Sequence, residues 1–414
     1  MRVPTLYKET MSGKTGTAST SNEAPTSNGA LRAMRLQSSV AALLAHGTLS
    51  RTEMAQWTGY SPSSMTSTIR DLMAMGHVRE IGQQKSSGGR RRTQLQFDRS
   101  SVFLTLVSIE AMHVTVSQID LAGEVQVQVR RRLDHDAPLD SLTEALVALR
   151  AAVQKPSRCI VVSLPGVVSA EGDVTLAPAL GAPLSVRLQD ALGAAERLPV
   201  LVENDVNLLA LGELAAGAAK DSPDFVLIYI GDGIGGALVI DGRVHRGATR
   251  SAGELGFLPW ADRMPSATET VGPLEAEWSI TALVRRARAL CLDIDERHIL
   301  TVLDESTLPE ARSLLEGAVA AWAYAAVVNA CVVNPARIVF AGEADQLQAW
   351  AKAELVRSVQ EHSPAPLDVQ FARLGESAIA HGAITTIVNR PRLILALEDS
   401  EAPEPMTVEG REPD

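Results

Sequence analysis

Ser50-Arg51-Thr52-Glu53-Met54-Ala55-Gln56-Trp57-Thr58-Gly59 and, one residue later, Ser61-Pro62-Ser63-Ser64-Met65-Thr66-Ser67-Thr68-Ile69-Arg70 decide how the front of this chain folds. Ser50 and Glu53 form a capping box: the hydroxyl accepts from the third helical N–H and the carboxylate reaches back to the cap. Gly59 ends that short helix, with Met54 and Ala55 facing inward. Ser61-Pro62 starts the next one, a cap residue followed by proline where no N–H is needed. Helical spacing puts Met65, Ile69, Leu72 and Met73 inside it and Ser63, Ser64, Thr66, Ser67 and Arg70 outside, with Gly76 as the stop. Upstream, Leu36, Val40, Leu43 and Leu44 repeat at helical spacing until Gly47. Downstream, residues 77–81 and 93–97 read as strands around a basic turn, 85–92. Three helices and a two-stranded wing make a winged helix-turn-helix over residues 29–99. Such a helix offers hydroxyls and an arginine to a major groove. Arg90, Arg91 and Arg92 in the wing suit phosphates or a narrow minor groove, although a solvated wing has the same composition.

Charge is divided along the chain in the same sense. The 414 residues carry a net charge of -11, yet residues 28–99 hold ten Lys and Arg against four Asp and Glu. A small basic head on a large acidic body fits a double-stranded DNA partner for the head alone. Residues 1–28 are rich in Ser, Thr, Gly and Pro, and in 393–414 much of the stretch from Glu398 onward is acidic and contains Pro; both read as disordered tails. The three cysteines, Cys159, Cys291 and Cys331, are too scattered for a ligand cluster or a disulfide framework, so a reducing cytoplasm is expected. The start does not resemble a signal peptide. Residues 317–336 lack charge over a membrane-spanning length, but they are mostly Ala and Val with Asn329, Asn334 and Pro335, and read as a buried core helix.

From residue 100 the pattern changes to strands at 102–109, 114–120 and 125–131, with Leu121-Ala122-Gly123 as a turn. A helix at 142–153, strands at 159–163 and 200–202, and a helix at 205–218 follow. A second block holds strands at 225–230, 237–240 and 338–340, with helices between. This is an α/β body in two similar halves, 100–220 and 221–392, with a C-terminal helix returning to the first.

Four motifs stand in order along that body: Leu164-Pro165-Gly166, Glu203-Asn204-Asp205-Val206-Asn207, Gly233-Ile234-Gly235-Gly236 and Ala252-Gly253-Glu254-Leu255-Gly256. With them, residues 29–390 resemble the ROK family of repressors, open reading frames and sugar kinases, in its repressor branch. The resemblance implies an actin-like, ribonuclease-H-like fold of two lobes behind the winged head. It also implies that Asp205 matches the aspartate that takes a proton from a sugar hydroxyl in the family kinases. Asn204, Glu254 and Glu275 match positions that hydrogen-bond sugar hydroxyls, a task that suits acceptor-only carboxylates.

The departures from that pattern argue against an enzyme. The family's phosphate loop, Asp-x-Gly-x-Thr, aligns with Ser108-Ile109-Glu110-Ala111-Met112, so acid, glycine and hydroxyl are all replaced. Glu110 brings a carboxylate where phosphate would sit, and like charges at close range cost on the order of several kcal/mol. The family's zinc-binding cysteine run falls on residues 268–273, which contain no cysteine, and its histidine position is Phe257; neither metal nor cofactor is expected. Phe257 stacks on a sugar or, in the favoured reading, fills the vacated space.

Plainer readings stay open beside these. Asp205 also suits a helix N-cap, Glu254 an exposed turn, Glu275 a helix start, and the Gly233–Gly236 run a tight turn. Arg250 reads as a solvated side chain beside the sugar site, or as the holder of an acidic or phosphorylated sugar. The expectation is a DNA-binding repressor of carbohydrate uptake or catabolism genes, a homodimer or homotetramer on an operator. A sugar or sugar phosphate in a catalytically dead cleft would control it. The alternatives are an ATP-dependent sugar kinase and a regulator that no longer senses a ligand.

Overall fold

The computed structural model describes residues 28–84, 92–110, 112–169, 173–176, 187–266, 269–292, 294 and 298–395. The chain forms two compact units, which among these residues are 28–98 with 389–395, and 99–388.

In the first unit, α1 (Asn28–His46), β1 (Thr48–Ser50), α2 (Arg51–Thr58), α3 (Pro62–Ala74), β2 (Val78–Gln84) and β3 (Arg92–Phe97) build a winged helix-turn-helix. Ser50 accepts from Glu53 N at 3.3 Å while Glu53 accepts from Ser50 N at 2.7 Å. That reciprocal pair starts α2, and left-handed Gly59 ends it. Ser61 caps α3 through Ser64 N at 3.2 Å, with Pro62 in the first turn. Leu36, Val40, Leu43, Met54, Met65, Ile69, Leu72 and Leu95 are buried. Two expectations are corrected. The wing sheet has a third strand, because the three residues of β1, too few to show a period, pair with β3 in the order β1-β3-β2. Met73 is 38% exposed, since it lies roughly 80° around the helix from Met65.

The second unit has two halves with one topology. The first contains β4 (Phe103–Ile109), β5 (His113–Asp120), β6 (Val125–Arg132), α4 (Pro138–Ala152), β7 (Ile160–Leu164), β8 (Val167–Val168), β9 (Val174–Leu176), α5 (Leu188–Glu196), β10 (Val200–Asn204) and α6 (Asp205–Ala216). Its sheet runs β10-β7-β4-β5-β6, antiparallel among the last three and parallel among the first three. The buried runs of β4 and β7 carry apolar side chains on both faces, as central strands covered on two sides require.

The second half contains β11 (Phe225–Ile230), β12 (Ile234–Ile240), β13 (Arg243–His245), α7 (Pro273–Trp278), α8 (Ile280–Ala289), α9 (Ile299–Glu305), α10 (Pro309–Val333), β14 (Arg337–Gly342), α11 (Ala349–His362), β15 (Asp368–Phe371) and α12 (Ser377–Val388). Its sheet order, β13-β12-β11-β14-β15, repeats the first with the same strand directions. This is the two-lobed, actin-like arrangement. The apolar α10 is, among the described residues, the one helix long and apolar enough to cross a membrane. Here Ala318, Trp322, Ala325 and Ala326 of α10 are buried in the core of the second lobe, and the Trp322 indole donates to Trp278 O at 3.0 Å. α12 crosses back to pack on α6 of the first half, and α13 (Pro391–Leu395) packs on α1 in the winged unit.

Candidate functional site

The strand β10 delivers Glu203 and Asn204 to its C-terminal end, and α6 starts at once. Asn204, not Asp205, is the cap: its side-chain oxygen accepts from Asn207 N at 3.0 Å and its amide donates to Gly166 O at 3.0 Å. The capping reading of Asp205 is thereby corrected, since Asp205 is the first helical residue. Its carboxylate accepts from Val206 N at 2.9 Å. Burial pushes its pKa up to about 6, against the lowering effect of those backbone N–H groups. Asn207 anchors Glu203, donating to it at 2.9 Å, and Arg246 closes on the same carboxylate through Nε at 3.1 Å and through Nη2. Asn207 and Arg246 were not picked out by sequence. Asn207 carried a signal, standing at the third helical position of an Asn-capped helix, whereas Arg246 is remote in sequence and carried none.

Gly166, Asn204, Val206, Asn207, Gly235 and Gly236, with Arg250, Ala252, Gly253 and Glu254 opposite, line a narrow cleft with about 20 Å³ of free volume. The glycine run before and within β12, expected as a turn only, therefore forms part of the cleft wall. Glu254 sits half-buried at the start of a 3-10 turn, Leu255–Phe257. Its pKa is raised by burial first, then by Glu275 and Asp205. Glu275 enters from α7, accepts from Ile234 N at 2.8 Å, and is raised by burial. A Cβ at Gly233 or Gly256 would fall 2.7 or 2.8 Å from its carboxylate, so these two glycines make its room. Glu254 thus feels both Glu275 and Asp205, although only Glu254 of the three is among the residues that line the cleft. Three acceptors short of donors suit a polyhydroxylated ligand. Arg250 lines the same cleft with a left-handed backbone, φ 61°, and makes no hydrogen bond or ion pair with a described residue.

The phosphate-loop positions look different from the simple expectation. Glu110 follows β4, but its side chain is more than half exposed and pairs with Arg130 at 3.1 Å. Ala111 lies outside the described residues, and Met112 is exposed. Acids of both lobes act on one buried hydroxyl. Tyr229, on β11, has its hydroxyl pKa raised by burial, and then by Asp205, Asp232, Glu343 and Glu110. Asp232 and Glu343 went unnoticed in the sequence because single acids in loops carry no pattern.

Leading into the segment aligned with the family's zinc run, residues 268–273, Trp260 and Arg263 form a backbone bridge, Arg263 pairs with Glu269 at 3.0 Å, and Glu269 accepts from Ser266 N at 3.2 Å. Trp260 meets Trp278 and Tyr324 edge-on at 5.8 and 5.5 Å. Phe257 is half-buried. These donors and rings do not fit a thiolate zinc, and among the described residues no group of three or more His, Cys, Asp or Glu is placed to hold a metal. Chelation with EDTA is therefore expected to leave the thermal midpoint of the protein unchanged, whereas a structural zinc site would melt.

In the winged unit, Ser63, Thr66, Ser67 and Arg70 are exposed on one face of α3, and Ser64 is half-buried. Thr66 and Ser67 donate back to Pro62 O and Ser64 O, both at 2.8 Å, which leaves their lone pairs outward. Arg92 opens β3 and is exposed; Arg90 and Arg91 lie outside the described residues.

Comparison with known proteins agrees with this architecture. The xylose repressor of Bacillus subtilis (strain 168) is 26% identical over 224 residues, 52% of this chain and 58% of that protein, so the chain spans little more than half the length of that relative. The DNA-binding transcriptional dual regulator NagC of Escherichia coli (strain K12) is 25% identical over 322 residues, 72% of this chain and 77% of NagC. A crystal structure described as a ROK family transcriptional regulator, homologue of the E. coli MLC protein, superposes with a TM-score of 0.74 at 22% identity. It covers 89% of this chain and 98% of its own, and so shares the fold. The profile of the ROK family matches residues 107–389, the greater part of the molecule, and this chain belongs to the ROK family.

Proposed function

We propose that this protein is a sequence-specific DNA-binding regulator, a repressor of carbohydrate uptake or catabolism genes, whose effector is a sugar or sugar derivative held in the cleft between Asn204 and Glu254. The observation that carries the reading is the exposed hydroxyl-and-arginine face on α3 together with a cleft lined by Asn204 and Glu254, whose carboxylate feels Glu275 and Asp205 close by. The named relatives, a xylose repressor and NagC, support a carbohydrate effector and an operator partner. Two heads on a symmetric homodimer or homotetramer would read two half-sites. Asp232 and Glu343 act on Tyr229, and acidic charge there would oppose a nucleotide polyanion, which supports a binding role over phosphoryl transfer.

Ser63, Ser64, Thr66, Ser67 and Arg70 are the proposed groove contacts, with Arg90, Arg91 and Arg92 on phosphates or the minor groove. Fluorescence anisotropy with the DNA upstream of its own gene tests this. Arg70→Ala is expected to cost about 1–3 kcal/mol of operator binding and to relax specificity at one position. Equal affinity of the protein for that DNA and for random duplex would sink the reading.

One observation favours a second reading. A carboxylate with a pKa of about 6, as at Asp205, suits a general base for a sugar hydroxyl. ATP-dependent phosphorylation of any hexose, lost in Asp205→Asn, would establish a kinase. A third reading, a regulator without sensing, rests on Phe257 at the histidine position, and silence across a sugar panel with DNA binding intact would favour it.

A further inference from the structure

We propose that α12 is the output helix of the effector cleft: it takes up movement of α6 and passes it to both places where the chain crosses from the body to the winged head. This rests on the regulator reading above.

The input end is at the cleft. α6 begins with Asn204, and Val206 and Asn207 of its first turn line the wall. A ligand that draws on these groups acts on the start of α6. One or two turns later α6 meets α12 backbone to backbone. A Cβ on Gly212 would run into the carbonyl of Ala378, and a Cβ on Gly382 would run into the carbonyl of Leu208. The contact is reciprocal, four residues apart on each helix, so it fixes one antiparallel register. At these two points backbone meets backbone, so no rotamer change there can absorb a shift, and close-packed elements move together or jump. Glu213 adds a third tie. It is fully buried on α6 and accepts from Arg373 N and Leu374 N, the segment that leads into α12, at 3.0 Å each.

The output end is where the unit boundaries fall. The body begins at Arg99 and ends at Val388. Val388 is the last residue of α12, and only Asn389 and Arg390 separate it from α13, which packs on α1 of the winged unit. The other crossing is held by the turn after β5. Leu121 N donates to Arg99 O at 3.1 Å, and the Arg99 guanidinium donates to Leu121 O at 3.4 Å. Gly123 of that same turn faces His381 and Ile384 of α12, with a Cβ position 3.9 Å from each. Both exits from the body therefore abut one helix, and that helix is fused to the one that starts in the cleft. The effector would shift operator affinity by favouring one of two α6–α12 positions.

The test inserts Gly-Ser-Gly-Ser at both crossings, between Asp98 and Arg99 and between Val388 and Asn389, in the full-length protein. This leaves the α6–α12 and α1–α13 contacts untouched. Operator affinity is measured with and without a panel of free pentoses, hexoses, N-acetylhexosamines and their phosphates. Hydrogen exchange of α6, α12 and α13 is followed on the same samples. In the wild type, an active sugar is expected to change operator affinity about fivefold or more and to alter exchange in all three helices. In the insertion variant, sugar affinity and exchange in α6 and α12 should respond as before, while α13 falls silent and the effect on operator affinity drops below about twofold. Gly382→Ala, which wedges the two helices apart, should weaken the response without touching the cleft; the insertion decides alone if that variant does not fold. An insertion variant that keeps the full response overturns this proposal and leaves the regulator reading standing. A wild type that answers to no sugar in either measurement overturns both.

Discussion

Asp205→Asn is expected to stabilise the protein at pH 7.5 by about 2 kcal/mol while weakening sugar binding. The carboxylate titrates at 3.8 in an unfolded chain and at about 6 in the native one, because burial disfavours its charge. The native state therefore holds a proton that the unfolded state gives up between these values. The sign follows: the stability this proton confers is complete below pH 3.8, declines as pH rises, and is gone above about 6. At about 1.4 kcal/mol per pKa unit the full shift is worth about 3 kcal/mol, and the solvent that still reaches this half-buried side chain lowers it to about 2. Asparagine mimics the protonated form at every pH. Urea unfolding at pH 4.5, 5.5 and 7.5, read by the tryptophans of the body, should give a wild-type deficit that grows with pH and levels off above 6.5. A deficit of the same size at all three values would show that charge burial at Asp205 is not its cause. A functional group kept at a cost to stability is the usual trade at a binding site.

Glu213→Ala carries the largest expected loss, about 4 kcal/mol. Glu213 is completely buried, and its carboxylate gathers Ala218 N at 2.6 Å with Arg373 N and Leu374 N at 3.0 Å each. Removing it strands three backbone donors, each costing roughly 1–3 kcal/mol when left dry, with water entering the space to recover part. Glu213→Gln keeps one oxygen and should lose about half as much. The measurement is the urea midpoint of each variant at unchanged m-value. Loss should appear first as faster amide exchange in α12, because the lost bonds pin its entry. A midpoint for Glu213→Ala within about 0.5 kcal/mol of wild type would mean that water or rearrangement satisfies those N–H groups.

Much of this molecule was legible from the chain alone, and the reason is local chemistry. Ser50 with Glu53, Gly59, and Ser61 with Pro62 specify helix ends through bonds between residues three or four apart, and the structure places α2 and α3 accordingly. The apolar runs of β4, β7 and β11 announced buried strands, and the ordered motifs announced two lobes. Where three residues cannot show a period, as in β1, or where a helix phase drifts, as at Met73, the local signal failed. Only the tertiary structure made Asn204 the cap instead of Asp205, brought Arg246 to Glu203 from 43 residues away, turned Glu110 toward Arg130, and set Asp232 and Glu343 around Tyr229. It alone also put Gly212 and Gly382 backbone to backbone. Caps and periods are written in neighbouring residues. Burial, pKa shifts and helix-to-helix contacts depend on distances across the fold, and those exist only once the two sheets and their helices have packed.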